Sequence, residues 1–169
     1  MTPSPQADPS AGRPRAFPLR FEGQRALVTG AASGIGRAVA RRLGLEGAVV
    51  IGLDTQPEDL LEETFDSIPG VHSLTVDVCS EEAAAQAGAV DVLVNAAGIL
   101  SRHALLEHPL DVWQRTLAVN LEAPLRLSRE FARAHVEAGI PGAIVNVCSI
   151  ESFVVRNRKT AISTRRSWT

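Results

Sequence analysis

Tyrosine is missing from all 169 residues, and aromatic side chains make up only 4% of the chain. Chemistry that needs a phenol as proton donor is therefore excluded for these residues. Cysteine is scarce as well. Cys79 and Cys148 form no recognisable spacing, which excludes a disulfide scaffold and leaves each to act as a small hydrophobe. His72, His103, His108 and His135 are scattered without metal-ligand spacing, so no metal site is expected. No apolar run approaches the ~18 residues of a membrane span. Pro, Ser and Asp interrupt the first residues, which lack the apolar core of a signal peptide. The expected location is cytoplasmic, with no membrane partner.

What is present reads as one ordinary soluble domain: 45% hydrophobic and 21% charged residues, with a formal net charge of −2. Residues 1–20 carry Pro3, Pro5, Pro9, Pro14 and Pro18 among small polar residues and are expected to be a disordered leader. The domain itself is assigned to residues 21–155. Residues 156–169 hold five basic side chains and no acid, leaving about −7 on the remainder. A solvated tail is preferred there over an arm that binds nucleic acid, so no nucleic-acid partner is expected. No repeat at a fixed period is found.

The stretch around which the domain is organised runs from Arg25 to Ala40. A short apolar run, Ala26 to Val28, enters a turn built on Gly30, Gly34 and Gly36, and a helical pattern follows with Ile35, Val39 and Leu43 on one face. A strand breaking on glycines into a helix suits a phosphate: backbone can approach closely, and the helix N-terminus offers unpaired N–H groups and a partial positive charge. The second strand, Ala48 to Leu53, ends on Asp54, 24 residues beyond Gly30. A carboxylate there can accept hydrogen bonds from ribose hydroxyls and repels a 2′-phosphate, which points to NAD over NADP. The plainer alternative is an Asp that caps the next turn.

Beyond Asp54 the βα alternation continues. Helices are predicted over 34–46, from Pro57 onward and between Ser80 and Gly88, with strands at 73–76 and 91–94. A long helical region over roughly 108–138 places Val112, Trp113, Leu117, Leu121, Leu125, Leu127 and Phe131 at apolar positions, with a bend or a junction between two helices at Pro124. Ala143 to Val147 forms a fifth strand that leads to Ser149. Near-continuous apolar strands between helices imply an α/β, doubly wound parallel Rossmann-type sheet of about five strands, in the order 3-2-1-4-5.

These motifs together resemble the short-chain dehydrogenase/reductase family. Thr29-Gly30-Ala31-Ala32-Ser33-Gly34-Ile35-Gly36 is similar to its glycine turn, Asp77-Val78 to its adenine-pocket pair, and Asn95-Ala96-Ala97-Gly98 to its NNAG segment with Ala96 replacing the second Asn. Asn120 matches an Asn that supports a proton relay, and Ser149 matches the catalytic Ser. The resemblance implies cofactor contacts by Thr29, Gly30, Ser33, Gly34, Ile35, Gly36, Asp54, Asp77, Val78, Asn95, Ala97 and Gly98. It also implies hydride exchange between NAD and a small-molecule secondary alcohol or carbonyl, in proteins that are homo-oligomers.

One part of the pattern departs. The family's Tyr-x-x-x-Lys motif falls on Ile162 and Arg166, and isoleucine has no proton to give. A placed acid–base group contributes about 10²–10⁴-fold to rate. The resemblance also implies further C-terminal strands beyond Thr169. The expectation is therefore an impaired, truncated product arising from a frameshift, an alternative splice or a mispredicted end. The alternatives are a catalytically silent NAD-binding module or an unstable remnant.

Overall fold

The computed structural model describes residues 19–65, 68 and 70–149. β1 (Arg25–Thr29), β2 (Val49–Asp54), β3 (Val71–Thr75), β4 (Val92–Asn95) and β5 (Ala143–Asn146) form one sheet in the order β3-β2-β1-β4-β5, as the apolar strand pattern predicts. Every pairing is parallel, with Val28 opposite Gly52 on one side and Val94 on the other. The crossovers are α1 (Gly34–Leu45), α2 (Glu58–Phe65), α3 (Glu81–Ala87) and a longer passage through α4 (Leu110–Leu117) and α5 (Ala123–Ala138).

Alternation along the strands divides the core into two layers. Ala26, Val28, Val92 and Val94 face Ala40 and Leu43 of α1 and Leu61 and Phe65 of α2. Leu27 and Leu93 face the opposite layer, against Ala83, Ala84, Val119, Leu127 and Phe131. Gly52 is small for a packing reason: a Cβ there would stand 3.0 Å from the Phe65 ring. Aliphatic side chains and alanine supply most of both layers, which is how a chain poor in aromatics closes its core.

The long helical region divides into two helices that meet beside Pro124, a junction that the sequence reading places there. A 3-10 turn spans Leu105–Glu107, α4 follows, and the break falls at a π-helical turn over Ala118–Glu122, upstream of Pro124. Pro124 occupies the first turn of α5, a position that tolerates its missing N–H. On α5 the buried positions Ala123, Leu127, Phe131 and His135 recur every four residues. Leu125 lies two residues out of that phase and is 60% exposed. Ile35 is also 60% exposed, although its helical neighbours Gly36, Ala40 and Leu43 are buried. α5 ends at Gly139, whose φ of +65° is the left-handed cap that stops a helix.

At the opposite end of α1, Glu46 is fully buried and receives two guanidinium groups. Arg20 Nε and Nη2 donate to it at 2.5 and 2.8 Å, and Arg42 Nε donates to its Oε1. The Phe21 N–H also donates to the Glu46 carbonyl at 3.0 Å, so the entry to β1 is fastened to the end of α1. β5 is the edge of the described sheet, with Ile144 and Val145 at 38% and 51% exposure.

Candidate nucleotide site

In an all-parallel sheet, every strand delivers its carboxyl end to the same rim, and ligands bind there. The turn leaving β1 is tight by construction. Gly30 has φ +69°, and a Cβ on it would stand 2.7 Å from Ala97 Cα; a Cβ on Gly36 would collide with the Gly30 carbonyl oxygen. Thr29 Oγ1 accepts the N–H groups of Ala96 and Ala97, each at 3.0 Å, locking the turn to the segment leaving β4. Thr29 is thus committed to holding the two strand ends together. Ser33 precedes α1 as its N-cap without making a side-chain capping hydrogen bond, and the first turn of α1 carries no acid. First-turn N–H groups have no partner within the helix, so this end presents donors and positive potential to an anion.

Next to that turn lies a cavity of about 90 Å³ whose lining includes Gly30, Asp54, Asp77, Val78, Ala97 and Arg115. Five of these six are residues that the sequence reading assigned to a cofactor. Asp54 Oδ2 accepts the Ala32 N–H at 3.0 Å, and its Oδ1 accepts from Thr55 and Gln56 at 2.8 and 3.2 Å. The carboxylate therefore caps its own turn and also secures the glycine turn, while its charge lines the cavity. Asp77 Oδ1 accepts from the Cys79 N–H at 2.9 Å, and its Oδ2 from Arg115 Nη2 at 2.7 Å. Burial pushes the Asp77 carboxyl up, but the Cys79 N–H and the Arg115 guanidinium outweigh it and hold the group below its ordinary range. Val78 is 5% exposed beside it.

Asn95 closes β4 with its side chain turned toward β5: Nδ2 donates to Asn146 Oδ1 at 2.9 Å, with Ser128 Oγ at 3.4 Å. Asn120 lies in the π-helical turn and grips Ile99 by both backbone groups, accepting its N–H at 2.9 Å and donating to its carbonyl at 2.8 Å. That grip fixes the chain just past Gly98. Ser149 lies three residues beyond β5 on the same rim. Ile162 and Arg166 lie outside the described residues, as do the basic tail and residues 1–18 of the expected leader. Its last two residues are described, and Arg20 is held by buried Glu46, so it belongs with the domain rather than with a disordered leader. Among the described residues no cluster of three His, Cys, Asp or Glu could hold a metal, and no helix is long and apolar enough to cross a membrane.

Arg115 is the member of this site that sequence reasoning missed. It sits in the last turn of α4, 38 residues from Asp77, and no short-range pattern joins the two.

The family model described as short chain dehydrogenase matches residues 24–164. The chain is 38% identical over 140 residues to the NADPH carbonyl reductase 2 of Sus scrofa, covering 80% of this chain and 57% of that protein. It is 39% identical over 135 residues to the L-xylulose reductase of Bos taurus, covering 78% and 55%. A short chain dehydrogenase of Mycobacterium smegmatis, known from its crystal structure, superimposes with a TM-score of 0.73 at 33% identity, covering 83% of this chain and 63% of that one. The chain spans just over half the length of the curated relatives it matches.

Proposed function

The chain belongs to the short-chain dehydrogenase/reductase family, and from that premise we propose that residues 19–149 form the dinucleotide-binding part of an NAD(P)-dependent oxidoreductase. The observation that carries this is the meeting, on one rim, of the glycine turn at the start of α1 with the cavity lined by Asp54 and Asp77. Gly34, Ile35 and Gly36 hold the pyrophosphate through first-turn N–H groups. Asp77 and Val78 take the adenine, Asp54 faces its ribose, and Asn95, Ala97 and Gly98 carry backbone alongside the cofactor. Bound nicotinamide supplies the hydride chemistry. Ser149 donates a hydrogen bond to the substrate oxygen, and Asn120 supports the proton path by fixing the backbone at Ile99.

NAD is the preferred carrier, because the Asp54 carboxylate disfavours a second negative charge on the ribose. The relative named for NADPH makes this choice one to be measured. The substrate class is a small secondary alcohol or its carbonyl, with polyols and ketoses first, in keeping with the L-xylulose reductase relative. A second reading, a chain that binds nucleotide without turnover, is favoured by the absence of any tyrosine and by Ile162 at the proton-donor position.

Two measurements test these readings. Saturating NAD at 100 times Kd raises stability by about 2.7 kcal/mol for a folded binder. Absorbance of reduced nicotinamide over a panel of polyols and ketoses then separates an enzyme from a silent binder. No stabilisation by NAD or NADP overturns the dinucleotide reading. Stabilisation without turnover supports the silent binder, which is the expected result for these 169 residues.

A further inference from the structure

A second cavity, of about 300 Å³, is lined by Cys79, Ala118, Glu122, Leu125, Arg126 and Arg129. It shares no residue with the nucleotide cavity, although Val78 lines the first and Cys79, its neighbour in the chain, lines the second. Its charges are incompletely matched. Arg126 is half-buried, and Nη2 stands 3.5 Å from the Val78 carbonyl, Nη1 stands 3.6 Å from a Glu81 carboxylate oxygen, and Nε is buried without an acceptor. A charge-assisted hydrogen bond is about 2.7–2.9 Å long, so neither contact is a strong one. Glu81 is also 93% exposed, which leaves that pair screened by water.

Arg129 follows three residues later on α5, a spacing that sets it beside Arg126 on the helix surface. Among the described residues Arg129 has no ion-pair partner, and Glu122, one turn before Arg126, pairs with neither arginine. Two guanidinium groups thus stand together over a hollow with no carboxylate bound between them. Burial, reinforced by the Asp77 carboxylate, pushes the Cys79 thiol up, so it adds no charge to the lining at neutral pH.

We propose that this cavity is a binding site for a phosphate group, held between the guanidinium groups of Arg126 and Arg129. A tetrahedral oxyanion offers acceptors to both planar forks, supplies the short bonds that Arg126 lacks and offsets the repulsion between the two cations. The volume matches the lower end of small-molecule sites, which favours a phosphate monoester over the free ion. Glu122 then accepts hydrogen bonds from hydroxyls on the remainder of that molecule. The site is independent of the dinucleotide reading, in which neither arginine has a part.

The test follows amide and arginine Nε–H signals of the full chain by NMR, titrating inorganic phosphate and glycerol 3-phosphate separately at constant ionic strength. Both should shift the signals of Cys79, Leu125, Arg126 and Arg129 saturably, glycerol 3-phosphate with a Kd lower by about threefold or more. Arg129→Gln alters an exposed position and should weaken both ligands about tenfold. Glu122→Ala should bring the two Kd values within about twofold of each other. Equal Kd values in the unmodified chain, with both weakened by Arg129→Gln, would support the phosphate site and make the free ion its ligand. Shifts confined to Gly34–Gly36 would place the phosphate at the glycine turn and overturn the inference. Unchanged affinities in Arg129→Gln would overturn it as well.

Discussion

The Thr29 hydroxyl oxygen accepts hydrogen bonds from two successive backbone amides, those of Ala96 and Ala97, each at 3.0 Å. β1 and β4 are neighbours in the sheet, but their continuations part in opposite directions, α1 on one side and the 96–109 segment on the other. This one buried oxygen keeps the two exits together at the point where the glycine turn must be narrow. Replacing Thr29 with Val keeps the shape and removes the acceptor from two N–H groups, at a cost of about 1–3 kcal/mol. Urea unfolding of Thr29→Val against Thr29→Ser, which retains the hydroxyl, measures it. Equal midpoints for the two variants would show that water satisfies those amides instead.

The glycines of the turn should fail in a definite order. Gly36→Ala drives a methyl into the Gly30 carbonyl, whereas Gly34 has φ +53° and open space around its missing Cβ. Gly34→Ala therefore carries only the left-handed backbone term, about 1–2 kcal/mol. Gly36→Ala has to displace the turn itself, and it should lose both more stability and more affinity for NAD. Thermal unfolding with and without nucleotide ranks the two, and a milder Gly36→Ala would contradict the packing.

The extent to which these features are legible in the sequence follows from their range. Strand order, the glycine turn and the placement of Asp54 and Asp77 all depend on local apolar runs and fixed offsets, and those could be read directly. The junction beside Pro124 could be read as well, whereas the π-helical form of the turn before it could not, since Asn120 meets Ile99, 21 residues away. Ile35 and Leu125 are apolar yet exposed, since hydropathy alone does not say which face of a helix meets the sheet. Arg115 was hidden for the same reason as the form of that turn. Its partner Asp77 lies in another part of the chain, and only the fold brings them together.

Asp54 offers a test of cofactor choice. Oδ1 accepts from Thr55 and Gln56 and Oδ2 from Ala32, so Asp54→Asn removes the charge, keeps an acceptor for Thr55 and Gln56, and gives up the one for Ala32. The ratio of NADP to NAD affinity should rise on the order of tenfold in Asp54→Asn, through loss of repulsion from a 2′-phosphate. Titration of both cofactors reads this directly. An unchanged ratio would move the discrimination to another residue.

Glu46 sets the acid side of the stability profile. The Arg20 hydrogen bond, opposed by burial and reinforced by Arg42, lowers its carboxyl from 4.5 to about 2. A group depressed in the folded state contributes stability that is complete above its unfolded pKa and disappears as pH falls through the folded one. The stability advantage of the native chain over Glu46→Gln should therefore be full at neutral pH and shrink between pH 4.5 and about 2. Chemical unfolding of both proteins across that window is the measurement. Parallel pH profiles would mean that the two arginines do not hold the carboxylate charged.

Asn120 should give the opposite pH response once altered. Its amide is the smallest group that can donate to the Ile99 carbonyl, at 2.8 Å, while accepting the Ile99 N–H, at 2.9 Å. Asn120→Asp keeps the acceptor half and sets an ionised oxygen against the carbonyl it replaces as partner. Such a group is raised in the folded state by burial and by the facing carbonyl, and protonation gives back a donor. The variant should be less stable than the native chain by about 2–3 kcal/mol at neutral pH. That gap should narrow as pH falls through the raised carboxyl pKa, because only the protonated acid can make both hydrogen bonds. Asn120→Ala, which has nothing to titrate, should show a gap independent of pH, and this separates loss of the contact from electrostatic conflict. A gap in Asn120→Asp that stayed constant with pH would mean that the turn at 118–122 relaxes into an ordinary helix and releases Ile99.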